Sequence, residues 1–185
     1  MHVFKPTKEE LIAARGKAVP EVIAPNLHIL FCGINPGLYS GATGHHFARP
    51  GNRFWPVLHA AGFTDRLLSP FEEQELLKRG YGITNIVNRT TANAAELSLS
   101  ELEEGAKRLT KTVFKYKPQI VAVLGVEAYR KAFGRRHAIL GLQEERIGDS
   151  RVWILPNPSG LNAHYQLKDL SKLFRQLREA SQGKL

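Results

Sequence analysis

The apolar run Ile29-Leu30-Phe31-Cys32 leads directly into the turn sequence Gly33-Ile34-Asn35-Pro36-Gly37. The same arrangement recurs near the C-terminus, where Val152-Trp153-Ile154-Leu155-Pro156 leads into Asn157-Pro158-Ser159-Gly160-Leu161. Because Gly and Pro cannot continue a central strand, each run predicts a buried strand that ends at a turn. Ligands of open α/β sheets bind outside the carboxyl ends of the strands. The two Asn-Pro turns are therefore either parts of one ligand site or two ordinary strand-to-helix turns, because Asn-Pro is also common turn chemistry.

The rest of the chain alternates apolar runs with amphipathic segments. Strands alternating with helices favour an α/β fold, here a three-layer α/β/α sandwich around a small, mainly parallel sheet. Pro20 and Pro25 interrupt the chain before the first strand, which predicts an N-terminal extension over residues 1–21 and a single domain over residues 22–185. The predicted strands cover residues 28–32, 82–87, 119–124 and 152–155. The predicted helices cover residues 7–17, 52–61, 70–78, 98–116, 126–133 and 167–180. Residues 33–51 are predicted as a polar loop, and residues 141–150 as a connection with room for one extra strand.

The composition is that of a basic globular protein of 185 residues. The 26 Lys and Arg residues exceed the 17 Asp and Glu residues, and the resulting formal charge of +9 favours a polyanionic partner, nucleic acid first. The single cysteine, Cys32, excludes an internal disulfide, a multi-cysteine zinc site and a Cys-ligated iron–sulfur cluster, and no metal or other cofactor is predicted. No apolar stretch reaches the length of a membrane span, and residues 1–6 lack an apolar signal core. We therefore expect no membrane association and no secretion, but a location in the cytoplasm, or at the nucleoid in a prokaryote.

Several motifs, in a fixed order along the chain, resemble those of a known family. They are the turn at 33–37, the segment Phe47-Ala48-Arg49-Pro50-Gly51-Asn52-Arg53-Phe54-Trp55, the segment Gly82-Ile83-Thr84-Asn85-Ile86-Val87-Asn88-Arg89-Thr90, and the turn at 157–161. Over residues 22–180 the chain resembles the mismatch-specific uracil-DNA and thymine-DNA glycosylases. The resemblance implies a uracil-DNA glycosylase-like fold and a monomeric, cofactor-free enzyme. Such an enzyme flips uracil mispaired with guanine out of double-stranded DNA, excises it and starts base excision repair; thymine or modified pyrimidines are substrates of some members.

The resemblance also implies which residues meet the flipped base. Asn35 takes the position of the residue that orients the attacking water, where faster members of the wider superfamily carry an Asp. Because an amide cannot accept a proton near neutral pH, Asn35 predicts a slow enzyme. Phe47 matches the aromatic residue that stacks on the flipped base, although a lone Phe is more often a core residue. The other base contacts implied are Ile34, Gly37, Ser40 and Asn157.

Contacts to the DNA itself are implied for the second turn, and further contacts are expected for the strand at 82–87 and the loop after it. Leu161 matches an apolar wedge that fills the space left by the flipped nucleotide. The other DNA-binding residues expected are Ser159, Gly160 and Asn162 of the second turn and Asn85 of the strand at 82–87. If the loop at 88–93 faces the cleft, Arg89 adds a DNA contact and Asn93 a further polar contact. His45 and His46 are either pocket residues or exposed, and exposure is the expectation.

Two departures from the family pattern leave the substrate range open. Residues 162–165 stand where some members carry a basic residue, and Asn85 stands where some carry Lys. Residues 88–93 either face the cleft or form a surface loop, since loops carry both function and variation.

Four other classes of protein match parts of the pattern. A nucleic-acid deaminase and an iron–sulfur uracil glycosylase both need several cysteines, so the single Cys32 excludes both. A nucleotide-binding α/β protein is disfavoured, because residues 33–37 lack both the G-x-G-x-x-G order and the P-loop Lys. A non-catalytic DNA mismatch-binding module with the same fold stays open, because position 35 carries no acid.

Overall fold

The computed structural model describes residues 4–184. These residues form one five-stranded sheet, in which the strands, numbered along the chain, lie in the order β2-β1-β3-β5-β4. Strands β1, β2, β3 and β5 run parallel, and β4 is antiparallel to β5, which confirms the mainly parallel sheet. The strands are β1 (Ile29–Gly33), β2 (Tyr81–Asn85), β3 (Ile120–Leu124), β4 (Gly141–Ile147) and β5 (Ser150–Leu155). The helices are α1 (Lys8–Ala13), α2 (Leu38–Thr43), α3 (Phe54–Ala60), α4 (Leu99–Tyr116), α5 (Val126–Phe133) and α6 (Leu167–Ser181), with 3₁₀ segments at Pro70–Arg79 and Ala94–Glu96.

The central strands contribute side chains to two apolar clusters, one on each face of the sheet. Phe31 packs in a cluster with Phe54 of α3 and Phe174 of α6. Its neighbour Cys32 packs in the other cluster, with Leu109 of α4. Successive strand residues face opposite sides, so a strand covered on both sides must be apolar throughout. The continuous apolar runs of the sequence follow from this burial, and the three-layer α/β/α sandwich is confirmed. None of the helices within residues 4–184 is both long enough and apolar enough to cross a membrane.

Two short elements lie where the sequence predicts a connection and a loop. The connection over 141–150 contains the edge strand β4, whose side chains are mostly exposed or half-buried because only β5 pairs with it. The predicted polar loop over 33–51 contains helix α2, which begins after Gly37 and ends at Gly44 in the left-handed conformation, φ 75°. Helix α2 includes a Ser, a Gly and a Thr, residue types with low helix propensity, and this explains why its sequence does not predict a helix.

Residues of the predicted N-terminal extension pack on the rest of the structure. Ala14 and Val19 are buried. The amide of Gly16 donates to the Thr90 carbonyl at 2.9 Å, and the Thr90 amide donates to the Lys17 carbonyl at 3.0 Å. Residues 14–19 therefore support the loop that follows β2. The division between residues 1–21 and 22–185 stays a prediction, and residues 1–3 and 185 lie outside the described part of the chain.

Candidate active site

A pocket of about 760 Å³ opens at the carboxyl ends of β1 and β2. Both Asn-Pro turns border it, because β1 and β5 flank β3 and their following loops meet above that strand. Of the site residues predicted from sequence, the pocket wall includes Ile34, Asn35, Gly37, Ser40, Phe47, Asn85, Asn93, Asn157, Ser159, Leu161 and Asn162. Gly160 and Arg89 are not part of this wall.

The side chain of Asn35 is held in one orientation by the loop after β2. Its Nδ2 atom lies 2.9 Å from the Arg89 carbonyl oxygen and 2.8 Å from Thr91 Oγ1. A carbonyl oxygen only accepts, and Thr91 Oγ1 already donates to the Asn93 carbonyl at 2.9 Å, so both contacts require an amide nitrogen. Within residues 4–184 no hydrogen bond uses Asn35 Oδ1. The fixed amide therefore presents an acceptor oxygen that can hold a water molecule.

The ring of Phe47 forms an aromatic wall of the pocket. Phe47 has a positive φ of 52°, which is uncommon for a residue with a side chain. Its ring stacks on Phe54 with centroids 4.1 Å apart. A Cβ added to Gly33 would lie 2.6 Å from Asn85 Oδ1 and 3.3 Å from the Phe47 ring, so the glycine at the end of β1 makes room for both side chains. Phe47 is half-buried, as expected for a ring that packs on the core and also borders a cavity.

His46 and Asn85 form a buried polar pair on the pocket wall. The expectation that His46 is exposed is wrong, because its exposed fraction is 2%. Its Nε2 donates to the Pro20 carbonyl oxygen at 2.8 Å, which leaves Nδ1 to accept from Asn85 Nδ2 at 3.4 Å. Burial lowers the pKa of His46, so its imidazole is neutral near neutral pH. Asn85 is itself 3% exposed and borders the pocket.

The Glu73 carboxylate contacts both His45 and His46, and these contacts keep the two histidines from full exposure. Its buried carboxylate accepts from the His46 backbone amide at 2.9 Å and lies 2.9 Å from His45 Nδ1. His45 is half-buried and its ring packs near Phe71. Glu73 lies in the Pro70–Arg79 segment, and nothing in its local sequence marks it as the partner of these histidines.

Arg89 and Asn93 have local structural roles. The Arg89 guanidinium contacts the Glu101 carboxylate at 2.8 Å and 3.3 Å, and this contact lowers the pKa of Glu101 to about 2. Asn93 Oδ1 caps the Ala94–Glu96 segment by accepting from the Ala95 amide at 2.9 Å. The residue of this loop that sequence reasoning missed is Thr91, which is 1% exposed and holds Asn35. The sequence marks Thr91 only as a hydroxyl residue that follows shortly after a predicted strand.

The second Asn-Pro turn presents one amide to the pocket and one apolar side chain to solvent. Asn157 Oδ1 accepts from the Ser159 amide at 2.9 Å, and no hydrogen bond within residues 4–184 uses Asn157 Nδ2. That nitrogen can donate to a ligand oxygen. Leu161 is 74% exposed. Gly160 lies against the Gly51 backbone, and a Cβ there would be 2.7 Å from the Gly51 oxygen.

Neither a metal-binding cluster nor a reactive thiol is found at this pocket within residues 4–184. Residues 4–184 contain no group of three or more His, Cys, Asp or Glu side chains arranged to hold a metal ion. Cys32 is completely buried, and burial raises the pKa of its thiol well above the usual range. The thiol therefore stays protonated and packs as a small apolar group.

Comparison with known proteins identifies the family and supports the fold. The family model of the uracil DNA glycosylase superfamily matches residues 20–180. The fold is similar to the solution NMR structure of a candidate uracil DNA glycosylase from Methanosarcina acetivorans, with a TM-score of 0.58 and 20% sequence identity. That match covers 88% of this chain and 98% of the other chain, and at this identity it supports the fold alone. The family match spans most of the sequence and includes both Asn-Pro turns, so the chain belongs to the uracil DNA glycosylase superfamily.

Proposed function

We propose that this protein is a monofunctional DNA glycosylase that excises uracil mispaired with guanine from double-stranded DNA. The observation that carries the proposal is the fixed amide of Asn35, whose two N–H groups are engaged by Arg89 and Thr91 while Oδ1 is left for a water molecule. The superfamily match supports DNA glycosylase activity in general. The mismatch preference, the monomeric state and the absence of a cofactor are parts of the proposal.

In the proposed reaction, water held by Asn35 Oδ1 attacks C1′ of the flipped nucleotide. The C1′–O bond forms, the C1′–N1 bond breaks, and its electron pair leaves with the pyrimidine. The water proton passes to solvent, because an amide oxygen is too weak a base to take it. Asn35 thus supplies position without basicity, and the expected enzyme is slow.

The leaving pyrimidine would be recognised by stacking and by amide contacts. Phe47 would stack on the base, an interaction of roughly 1–3 kcal/mol. Asn157 Nδ2 would donate to a pyrimidine oxygen that gains negative charge as the bond breaks. Asn85 would contact the base edge from the pocket wall. Gly37 borders the pocket without a side chain that would narrow it, and thymine or modified pyrimidines as additional substrates are part of the proposal.

The duplex would be opened by the second turn. An exposed Leu161 would enter the stack in place of the flipped nucleotide, while Ser159, Gly160 and Asn162 lie against the strands. A mispaired base costs less to unpair and unstack, which would favour a mismatch with guanine. The formal charge of +9 would strengthen association with the phosphate backbone.

A second function, binding of mismatched DNA without base release, is favoured by one observation. Within the described chain, no Asp or Glu side chain lines the pocket. A site without an acid can still recognise a flipped base by stacking and amide contacts.

Base release from labelled oligonucleotides distinguishes the two functions. The substrates are uracil opposite guanine, uracil opposite adenine, thymine opposite guanine, and single-stranded uracil, each treated with alkali to cleave at abasic sites. Release mainly from uracil opposite guanine would support the proposed enzyme. Equal release from every uracil substrate would contradict the mismatch preference, and binding without any release would favour the non-catalytic module.

A further inference from the structure

Arg53 holds the loop that carries Leu161. The wedge loop, defined as residues 157–165, contains Leu161 near its centre. The Arg53 side chain donates to four backbone carbonyls of this loop. Its Nε lies 3.3 Å from the Pro158 oxygen, its Nη2 lies 2.6 Å from the Ser159 oxygen and 2.9 Å from the Asn162 oxygen, and its Nη1 donates to the Tyr165 oxygen. The Arg53 backbone amide adds a bond to the Pro158 oxygen at 3.0 Å.

The other hydrogen bonds of the wedge loop are internal. Ser159, Leu161 and Asn162 donate from their amides or side chains to groups of the same loop. Within residues 4–184, the hydrogen bonds that join the wedge loop to the rest of the chain all come from Arg53. The orientation of the loop relative to the pocket therefore depends on the hydrogen bonds from Arg53, together with the contact between Gly160 and Gly51 and the packing of Tyr165 on the apolar cluster that contains Phe54.

The position of Arg53 also connects the wedge to the base-stacking wall. Arg53 is the N-cap residue of α3, and the next residue, Phe54, is completely buried. Phe54 stacks on Phe47 at 4.1 Å between ring centroids. The start of α3 thus contacts the Phe47 ring of the pocket through Phe54 and the wedge loop through Arg53.

We propose that Arg53 is a positioning residue that holds the wedge loop in its DNA-entering arrangement before DNA binds, so that Leu161 enters the duplex without a prior ordering step. This inference rests on the proposed function, because it assigns a purpose to the exposed Leu161. Ordering a loop on binding costs affinity, and a preorganised loop avoids that cost. The planar guanidinium supplies five N–H donors in a fixed fork, whereas a Lys ammonium supplies three donors from one point.

The first test does not require activity. Amide hydrogen exchange of the free protein is followed in peptides covering the wedge loop for the parent, Arg53→Ala, Arg53→Lys and the control Arg175→Ala. Arg175 is exposed on α6, so its replacement removes the same charge away from the wedge loop.

We expect faster exchange in the wedge loop of both Arg53 variants, unchanged exchange in β1 and β3, and parent behaviour for Arg175→Ala. Unchanged exchange in the wedge loop of both Arg53 variants would overturn the inference. If Arg53→Ala unfolds, Arg53→Lys alone carries the test.

The second test is a double-mutant cycle on uracil opposite guanine in a duplex. If Arg53 acts through the wedge, Arg53→Lys should lower single-turnover excision by about 10-fold in the parent and have little effect in a Leu161→Ala background. Equal losses in both backgrounds, or full activity of Arg53→Lys, would mean that Arg53 supplies only general stability or charge, and would overturn the inference. A parent that releases no base would contradict the proposed function, while the exchange experiment would still decide whether Arg53 orders the wedge loop.

Discussion

Asn35 Nδ2 donates to Thr91 Oγ1 across 2.8 Å, and this bond joins the turn after β1 to the loop after β2. Backbone pairing supports the same junction, because the Thr91 amide donates to the Pro36 carbonyl at 3.1 Å. The orientation of the amide at the pocket is therefore set by a residue that lies 56 positions later in the chain.

Thr91→Ala is expected to lower the rate of uracil excision. The substitution removes one of the two strong acceptors that orient Asn35. Loss of about 1 kcal/mol of hydrogen bonding corresponds to roughly fivefold. Thr91→Ser keeps the hydroxyl and should retain the parent rate in single-turnover assays. Equal losses for the two variants would show that the Thr91 methyl group, and not its hydroxyl, supports the site.

Phe47→Leu is expected to weaken both binding and excision of a flipped base. Leu keeps an apolar side chain but lacks the ring face that gives roughly 1–3 kcal/mol per stacked base. Phe47→Tyr keeps the ring and should stay close to the parent. Excision under enzyme excess, together with anisotropy on duplex DNA, measures both effects. If Phe47→Leu matches Phe47→Tyr in excision, the ring does not stack on the base.

Leu161→Ala should impair excision from duplex DNA and leave excision from single strands nearly unchanged. The exposed side chain would be buried only when it fills a gap in a duplex, and burial of a Leu side chain gives about 1.5–3 kcal/mol, or at least about 10-fold in rate or affinity. Leu167→Ala is a suitable control, because Leu167 is also exposed but lies at the start of α6. An identical loss on duplex and single-stranded uracil would argue against a wedge.

The free energy of unfolding should decrease as the pH falls below 6.5, the ordinary pKa of histidine. Burial lowers the pKa of His46 in the folded state, so below 6.5 the unfolded state binds more protons than the folded state and is favoured. His46→Gln removes this titration and should flatten the dependence in urea denaturation between about pH 5 and pH 8. His164→Gln changes an exposed histidine and should keep the parent slope. A parent slope in His46→Gln would contradict the assignment.

The sheet could be predicted from sequence because its central strands are buried on both faces. Residues 29–33 and 120–124 are apolar at nearly every position, and this continuity is visible without a structure. Strand β4 is only partly buried, so the segment Gln143-Glu144-Glu145-Arg146 has no apolar run to mark it. Burial on both faces thus determines which strands the sequence reveals.

The pocket residues could be assigned from motifs, but the contacts that orient them could not. His46 is buried because Glu73 and the Pro20 carbonyl, 27 and 26 residues away along the chain, bond its amide and ring. The role of Arg53 depends on four carbonyls more than 100 residues later. Such long-range partners arise only after folding, and local patterns do not contain them.

The proposed role of Asn35 is to position the attacking water in an active glycosylase. Its most direct test is single-turnover release of uracil opposite guanine, with enzyme in excess, by the parent and by Asn35→Ala, with duplex binding measured in parallel. We predict that the parent releases uracil and leaves an alkali-labile abasic site, while Asn35→Ala binds the duplex equally well and is about 100-fold slower, as expected when a reacting group loses its position. Equal rates for the two proteins would contradict the account.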